Sequence, residues 1–124
     1  MASLSELYRA HLAAWAAGDF ETALSYMADD IVWYPNRAMR PIAGKEAVRV
    51  FLGKFGRGME NIEFTQSLMI EHGDTLFVEG AESYTKGGKR VTTHYAGVVE
   101  WRDGKAVNWR DYFDLKTLDA QLAG

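Results

Sequence analysis

Hydrophobic and polar residues follow two different periods along this chain, one in its first half and another after residue 60. Apolar side chains recur three or four residues apart from Leu4 to Trp15, which predicts a helix that ends at Gly18-Asp19. A short second helix is predicted from Phe20 to Met27, and a third from Gly44 to about Phe55. Between them, residues 31–36 are β-branched and aromatic, so they predict one early strand.

From residue 60 onward apolar and polar residues alternate, which is the period of a half-buried strand. Glycine-containing turns, among them Gly87-Gly88 and Asp103-Gly104, separate the alternating runs and predict hairpins. The predicted strands are 61–72, 75–87, 90–102 and 105–114. Helices that precede an antiparallel meander indicate an α+β fold with the helices packed on one face of the sheet. A curved sheet closed by helices encloses a pocket, and we expect residues 1–124 to form one such domain.

One face of the last predicted strand is apolar except for a single carboxylate, Asp111, which stands between Trp109 and Phe113. The strand at 75–87 has the same pattern, with Glu82 beside Tyr84. A carboxylate in apolar surroundings must be paired, hydrogen-bonded or protonated. Two carboxylates on neighbouring strands of one cavity would have their pKa values pushed apart, which supplies a general base and a general acid at one pH.

Asp111 and Glu82 also have a simpler interpretation, since an inward carboxylate held by a Tyr or Trp donor can be purely structural. The early strand offers Tyr34 and Asn36 on one face, and a phenol and an amide at that spacing can hold a water or an oxyanion. Equally, Tyr34 can be a core residue and Asn36 can cap the turn after the strand. The pocket-facing residues expected to bind a substrate are Trp109, Tyr95, Tyr84, Phe113 and Thr93.

Composition narrows the classes of partner. The net charge of −3, without a basic patch, argues against a nucleic-acid surface. The chain has no Cys, and its three His lack the spacing of metal ligands, so neither disulfides nor a metal site is expected. No apolar run approaches the ~20 residues that span a bilayer, and the N-terminus lacks a signal-peptide pattern. We therefore expect no membrane partner and a cytoplasmic location. The four Trp, six Tyr and six Phe suit a pocket lining or a dense core.

Three N-terminal segments resemble the NTF2-like superfamily: Ala17-Gly18-Asp19-Phe20, Tyr26-Met27-Ala28-Asp29-Asp30 and Ile42-Ala43-Gly44-Lys45-Glu46-Ala47. This superfamily includes the SnoaL-like, ketosteroid-isomerase-like and limonene-epoxide-hydrolase-like proteins. The resemblance covers nearly the whole chain and implies a cone in which three N-terminal helices pack on a curved antiparallel sheet around a pocket. No metal or organic cofactor is expected.

The segment Trp109-Arg110-Asp111-Tyr112-Phe113-Asp114 resembles the part of limonene-epoxide hydrolases that contains the water-activating Asp. The resemblance implies that Asp111 is the general base and that Tyr34 and Asn36 help to hold the water. It also implies an acid on a middle strand, where that family has an Arg-x-Asp pair.

The stretch that matches the Arg-x-Asp pair is Gly80-Ala81-Glu82, so Glu82 stands in the place of the acid and the bridging Arg is missing. Without this cation the two carboxylates repel each other unless one is protonated. Arg37 and Arg40, in the loop after the early strand, are the cations that could reach in.

These observations predict an enzyme that uses acid–base chemistry on a small apolar organic molecule, by opening an epoxide or by a SnoaL-like cyclisation or isomerisation. One alternative is a module that binds a small ligand without turnover, as the missing Arg suggests. Another is a partner-binding domain whose pocket is filled by its own side chains. We also expect a homodimer through the outer face of the sheet, at Thr92, His94, Ala96, Arg110 and Tyr112.

Overall fold

The computed structural model describes residues 2–123, which form four helices and one six-stranded sheet. The helices are α1 (Leu4–Ala16), α2 (Phe20–Leu24), α3 (Lys45–Phe55) and α4 (Leu115–Ala123). The strands are β1 (Met27–Tyr34), β2 (Ile42–Ala43), β3 (Glu60–His72), β4 (Thr75–Lys86), β5 (Lys89–Arg102) and β6 (Lys105–Tyr112).

Helix α1 begins at a capping box formed by Ser3 and Glu6. The N–H of Glu6 donates to Ser3 Oγ at 3.1 Å, and the N–H of Ser3 donates to Glu6 Oε1 at 3.3 Å. This exchange satisfies backbone donors that the first turn of a helix leaves unpaired. The buried side of the helix follows the spacing seen in the sequence and carries Tyr8, His11, Leu12, Ala14 and Trp15.

The strands lie in the order β2-β1-β6-β5-β4-β3. All neighbouring pairs are antiparallel except β1 and β6, which run parallel because the helices and the long meander separate them in the chain. Helix α1 packs against β3 and β4, α3 against β1, and α4 against β5. One face of the sheet is therefore covered by helices, as expected for an α+β fold.

The predicted inner faces of β4 and β5 are confirmed by the residues that are buried there: Leu76, Val78, Gly80, Tyr84, Val91, Tyr95, Gly97, Val99 and Trp101. The inner face of β6 differs in one detail. Opposite Glu100–Trp101 the register shifts by one residue, and Val107 forms the bulge. As a result Ala106 is buried on the side where the sequence predicts Val107, and the regular alternation resumes at Trp109.

The helices differ from the prediction at both ends of the chain. Helix α2 has only five residues, because the strand that follows it begins at Met27 and includes Asp29 and Asp30. A fourth helix, α4, follows β6. The prediction of three N-terminal helices therefore missed one helix. Within the described residues, none of these helices is long and apolar enough to cross a membrane.

Candidate active site

A cavity of about 410 Å³ lies between the inner face of the sheet and helices α1, α3 and α4. Its lining is dominated by aromatic side chains, which are Tyr8, Trp15, Trp33, Phe51, Phe55, Phe64, Tyr84, Tyr95, Trp109 and Phe113. The exposed residues of the lining are Met39 and Asp119, so the cavity opens between the loop after β1 and helix α4. Its size and apolar walls are typical of pockets for small organic molecules.

Asp111 lies in this cavity and is held by two tryptophans. The Nε1–H of Trp33 donates to Asp111 Oδ2 at 3.4 Å, and the Nε1–H of Trp109 donates to Oδ1 at 3.3 Å. The parallel pairing of β1 with β6 places Trp33 level with Trp109, two residues before Asp111 on the same face. The indoles therefore fix the direction of the carboxylate, which is part of the cavity lining.

The glycine opposite Asp111 makes room for its carboxylate. Gly97 of β5 is the pairing partner of Asp111, and a Cβ added there would lie 3.1 Å from Asp111 Oδ1 and 3.0 Å from Val78 Cγ1. Any other residue at this position would push the carboxylate aside, so Gly97 supports the site by its lack of a side chain.

The surroundings of Asp111 raise the pKa of its carboxyl group. Burial disfavours its charged form and, against the smaller opposing effect of the Trp33 and Trp109 hydrogen bonds, raises its pKa to about 7. The negative charge of Glu82 adds to this rise. Asp111 can therefore exchange a proton at the pH where most enzymes work.

Glu82 lines the same cavity from β4, and burial also raises its pKa to about 7, opposed by the Trp15 indole. The two carboxyls do not lie on neighbouring strands as the sequence predicts, because β5 runs between β4 and β6. Glu82 pairs with Thr93 and Asp111 with Gly97, so the two are also displaced along the strands. Each nevertheless contributes a titrating carboxyl to one cavity.

Among the described residues that line the cavity around these carboxyls, none is Lys or Arg. Arg37, which the sequence suggested as a substitute, places its guanidinium 4.6 Å from the ring centroid of Tyr34, and neither Arg37 nor Arg40 lines the cavity. Within residues 2–123 there is also no group of three or more His, Asp or Glu side chains placed as metal ligands.

The backbone at Gly80 leaves no room for the Arg that the resemblance to limonene-epoxide hydrolases implies at this position. A Cβ at this position would lie 2.2 Å from the carbonyl oxygen of Thr65 on β3. An L side chain does not fit at that distance unless a strand moves, so an Arg at position 80 is incompatible with this packing of β3 on β4.

The structure does not bring Tyr34 and Asn36 to the cavity, which corrects the expectation that they hold a water beside Asp111. Trp33 and Pro35 line the cavity instead, and Tyr34 is level with Arg110 of the outer face. Asn36 is buried with both amide atoms occupied: Nδ2 donates to the carbonyl of Phe113 at 2.8 Å, and Oδ1 accepts from the N–H of Ala38 at 2.9 Å. Asn36 thus caps the turn.

The five residues predicted to bind a substrate all line the cavity: Trp109, Tyr95, Tyr84, Phe113 and Thr93. Sequence reasoning missed Trp33, Tyr8 and His11. Tyr8 and His11 were marked by their place on the apolar side of α1, but helical spacing does not distinguish a core residue from a cavity residue. His11 is buried and held by Ala23, with 2.9 Å between Nδ1 and the carbonyl oxygen, and burial lowers its pKa to about 4. It is therefore neutral at physiological pH.

Comparison with known proteins agrees with this architecture. A family model described as the SnoaL-like domain matches residues 8–109. Epoxide hydrolase EphG of Mycobacterium tuberculosis is 30% identical over 97 residues, which are 78% of this chain and 64% of that protein. The aligned part thus spans less than two thirds of this curated relative.

Solved structures with similar folds include an epoxide hydrolase and an NTF2-like protein. A limonene-epoxide-hydrolase-like epoxide hydrolase of M. tuberculosis superposes with a TM-score of 0.80 at 28% identity, covering 94% of this chain and 90% of that one. An NTF2-like protein of unknown function from Burkholderia pseudomallei superposes with a TM-score of 0.85 at 21% identity over 100% of both chains, which shows the fold alone. The chain belongs to the SnoaL-like domain family and has the NTF2-like fold.

Proposed function

We propose that this protein is an enzyme that applies acid–base chemistry to a small apolar molecule, with Asp111 as the general base and Glu82 as the general acid. The observation that carries the proposal is the presence of two carboxyls, both with a pKa raised to about 7, in one aromatic cavity. Near pH 7 one of them can be ionised while the other keeps its proton, and a base and an acid are then present together.

Hydrolytic opening of an epoxide is the reaction that suits this pair best, and the similarity to epoxide hydrolases supports it. The Asp111 carboxylate removes a proton from water while the water oxygen bonds to an epoxide carbon. The C–O bond of the ring breaks, and the Glu82 carboxyl gives its proton to the departing oxygen. The product is a vicinal diol, and a proton must pass from Asp111 back to Glu82 through solvent before the next turnover. A cyclisation or isomerisation, as in SnoaL-like proteins, would use the same two groups without water.

The proposal is tested by assaying a panel of small cyclic and aryl epoxides with Asp111→Asn and Glu82→Gln. A positioned acid or base typically contributes ~10²–10⁴-fold, so each variant should lose turnover by about that factor. Asp103→Asn makes the same chemical change in an exposed turn and should retain turnover. Unchanged turnover in Asp111→Asn would remove Asp111 from the mechanism.

A second candidate is a module that binds a small ligand without turnover. The absence of a cation in the cavity lining and the indoles that hold Asp111 favour it. In that case the epoxides, or the corresponding diols, would bind without conversion, and Asp111→Asn would alter only the affinity. The third alternative, a pocket filled by its own side chains, is disfavoured by the cavity beside Asp111.

We further propose that two copies pair through the outer face of the sheet, where exposed apolar residues continue across neighbouring strands. Ile70 pairs with Phe77, which pairs with Val98, and both Ile70 (50%) and Phe77 (43%) are exposed. Of the residues predicted for this face, His94, Ala96 and Tyr112 are exposed and Thr92 and Arg110 are half-buried. Light scattering should give a dimer that Phe77→Glu dissociates, and a monomer of the unmodified protein would contradict the pairing.

The cytoplasmic location and the extent of the single domain, 1–124, stay predictions.

A further inference from the structure

A tyrosine stands between the two carboxyls of the cavity. Tyr95 lies on β5, the strand that separates Glu82 from Asp111. Glu82 pairs with Thr93 of β5, and Asp111 pairs with Gly97 of the same strand. Tyr95 is therefore midway along β5 between the partners of the two carboxyls. Positions two apart on a strand share a face, and Tyr95 therefore points into the cavity with both of them.

The hydroxyl of Tyr95 meets a second phenol, that of Tyr8 on α1, at 2.7 Å. Both side chains are buried, Tyr8 with 1% of its surface exposed and Tyr95 with 9%. Within residues 2–123 neither hydroxyl has another protein partner at hydrogen-bond distance. Two hydroxyls carry two protons, and the bond between them uses one.

Either hydroxyl can be the donor of this bond. When the more enclosed Tyr8 donates to Tyr95, the O–H of Tyr95 is left to point into the cavity. Burial raises the pKa of Tyr95 to about 12, so the phenol is a donor and not a base at neutral pH.

Gly80 leaves space for this hydroxyl. Gly80 lies on β4 and pairs with Tyr95 of β5. A Cβ at Gly80 would lie 3.3 Å from Tyr95 Oη. The hydroxyl of Tyr95 thus lies next to the position where the resemblance places an Arg. A neutral donor here can bind an oxygen without the desolvation cost of a buried cation.

We propose that Tyr95, oriented by Tyr8, donates a hydrogen bond to the ligand's oxygen, and that the cavity selects neutral apolar molecules with an epoxide, ether or carbonyl oxygen. Tyr95 would touch the ligand, and Tyr8 would act as a positioning residue. A hydroxyl that already accepts a hydrogen bond is a stronger donor, so the pair binds such an oxygen better than a single phenol would. The inference rests on the proposed small-molecule site, but it does not require turnover.

The test uses acetophenone, whose carbonyl stretch moves to lower frequency when the oxygen accepts a hydrogen bond. Infrared spectra of the bound ligand should show this shift in the unmodified protein. In Tyr95→Phe the band should return towards its position in an apolar solvent, and affinity should fall by roughly threefold to tenfold. Tyr8→Phe should give an intermediate frequency, whereas Tyr112→Phe, which removes a hydroxyl from the outer face, should match the unmodified protein.

A bound ligand whose band is the same in Tyr95→Phe would overturn the inference, and so would failure of acetophenone to bind at millimolar concentration. All three Tyr→Phe variants keep the aromatic ring, and the bound-ligand band itself reports a folded cavity. The outcome is distinct from that of the proposed function. If Asp111→Asn keeps turnover but the carbonyl shift depends on Tyr95, the acid–base assignment fails and the oxygen site stands.

Discussion

Asp111 is a carboxyl group in surroundings that favour its protonated form. The alternation of β6 was sufficient to predict its inward position, and the structure adds Trp33 and Trp109 as donors to its two oxygens. Trp33 could not be predicted, because its place depends on the parallel pairing of β1 with β6, which no local pattern encodes. The apolar run from Ile31 to Tyr34 occupies both faces of β1, so alternation could not decide that Tyr34 turns outward.

The raised pKa of Asp111 makes stability depend on pH in a defined direction. The folded-state pKa of about 7 lies above the ordinary value of 3.8, so the folded protein binds the proton more tightly than the unfolded chain. This contribution is fully present below about pH 4 and is lost as the pH rises through 7, and Glu82 acts in the same direction.

We therefore expect the free energy of unfolding in urea to fall between pH 5 and pH 8 more steeply in the unmodified protein than in Asp111→Asn. Each pKa unit corresponds to about 1.4 kcal/mol. The double variant with Glu82→Gln should have the flattest profile. Equal slopes in all three proteins would show that neither carboxyl is protonated preferentially in the folded state.

The four strands of the meander and helices α1 and α3 were predicted more accurately than helices α2 and α4 and the early strand. Alternation and glycine turns located β3 to β6 to within two residues at each end. The predicted α2 was too long. The helical spacing after Phe20 does not show that Met27 already pairs with Ala106 of β6. Helix α4 is short, so its few apolar residues do not form a clear helical pattern in the sequence. Their role becomes evident only in the structure, where they line the cavity.

Gly80 is required by the pairing of β3 with β4. Because a Cβ would lie 2.2 Å from Thr65 O, Gly80→Ala should lower the melting temperature, with a loss of about 1–3 kcal/mol in stability. Gly53→Ala is the matched control, since Gly53 lies in α3 with nothing within 4 Å of an added Cβ, and it should be neutral or stabilising. A Gly80→Ala variant as stable as Gly53→Ala would show that β3 accommodates a side chain there, and that an Arg could be restored.

Helix α4 is fastened to the sheet by Gln121. Its Oε1 accepts from the N–H of Thr92 at 2.8 Å, and its Nε2 donates to the carbonyl of Thr92 at 2.9 Å. Gln121→Ala should increase amide hydrogen exchange at Thr92 by about three- to tenfold, given ~1 kcal/mol for a hydrogen bond. Lys116→Ala, an exposed change on the same helix, should leave this exchange rate unchanged; equal rates in both variants would mean that Gln121 does not hold α4.

The whole molecule has the form that both the sequence pattern and the family resemblance indicated, a sheet with helices on one face and a cavity between them. Local alternation was sufficient for the meander and for the inward position of the two carboxyls, but not for the fourth helix or for the parallel pairing of β1 with β6. It was insufficient for the Tyr8–Tyr95 pair, since this contact joins the first helix to the fifth strand and depends on the packing of the complete chain. The cavity thus combines groups that are far apart in sequence.

The most direct test of the acid–base site is a titration of the Asp and Glu carboxyl carbons by carbon NMR, with Asp111→Asn and Glu82→Gln to assign the two signals. Interacting groups titrate as a pair, so the apparent values belong to both. We expect two carboxyl signals to change near pH 7, as the raised pKa values of Asp111 and Glu82 require. If both side chains instead titrate below about pH 5, in the ordinary range of exposed carboxyls, no general acid is available at neutral pH and the proposed chemistry is contradicted.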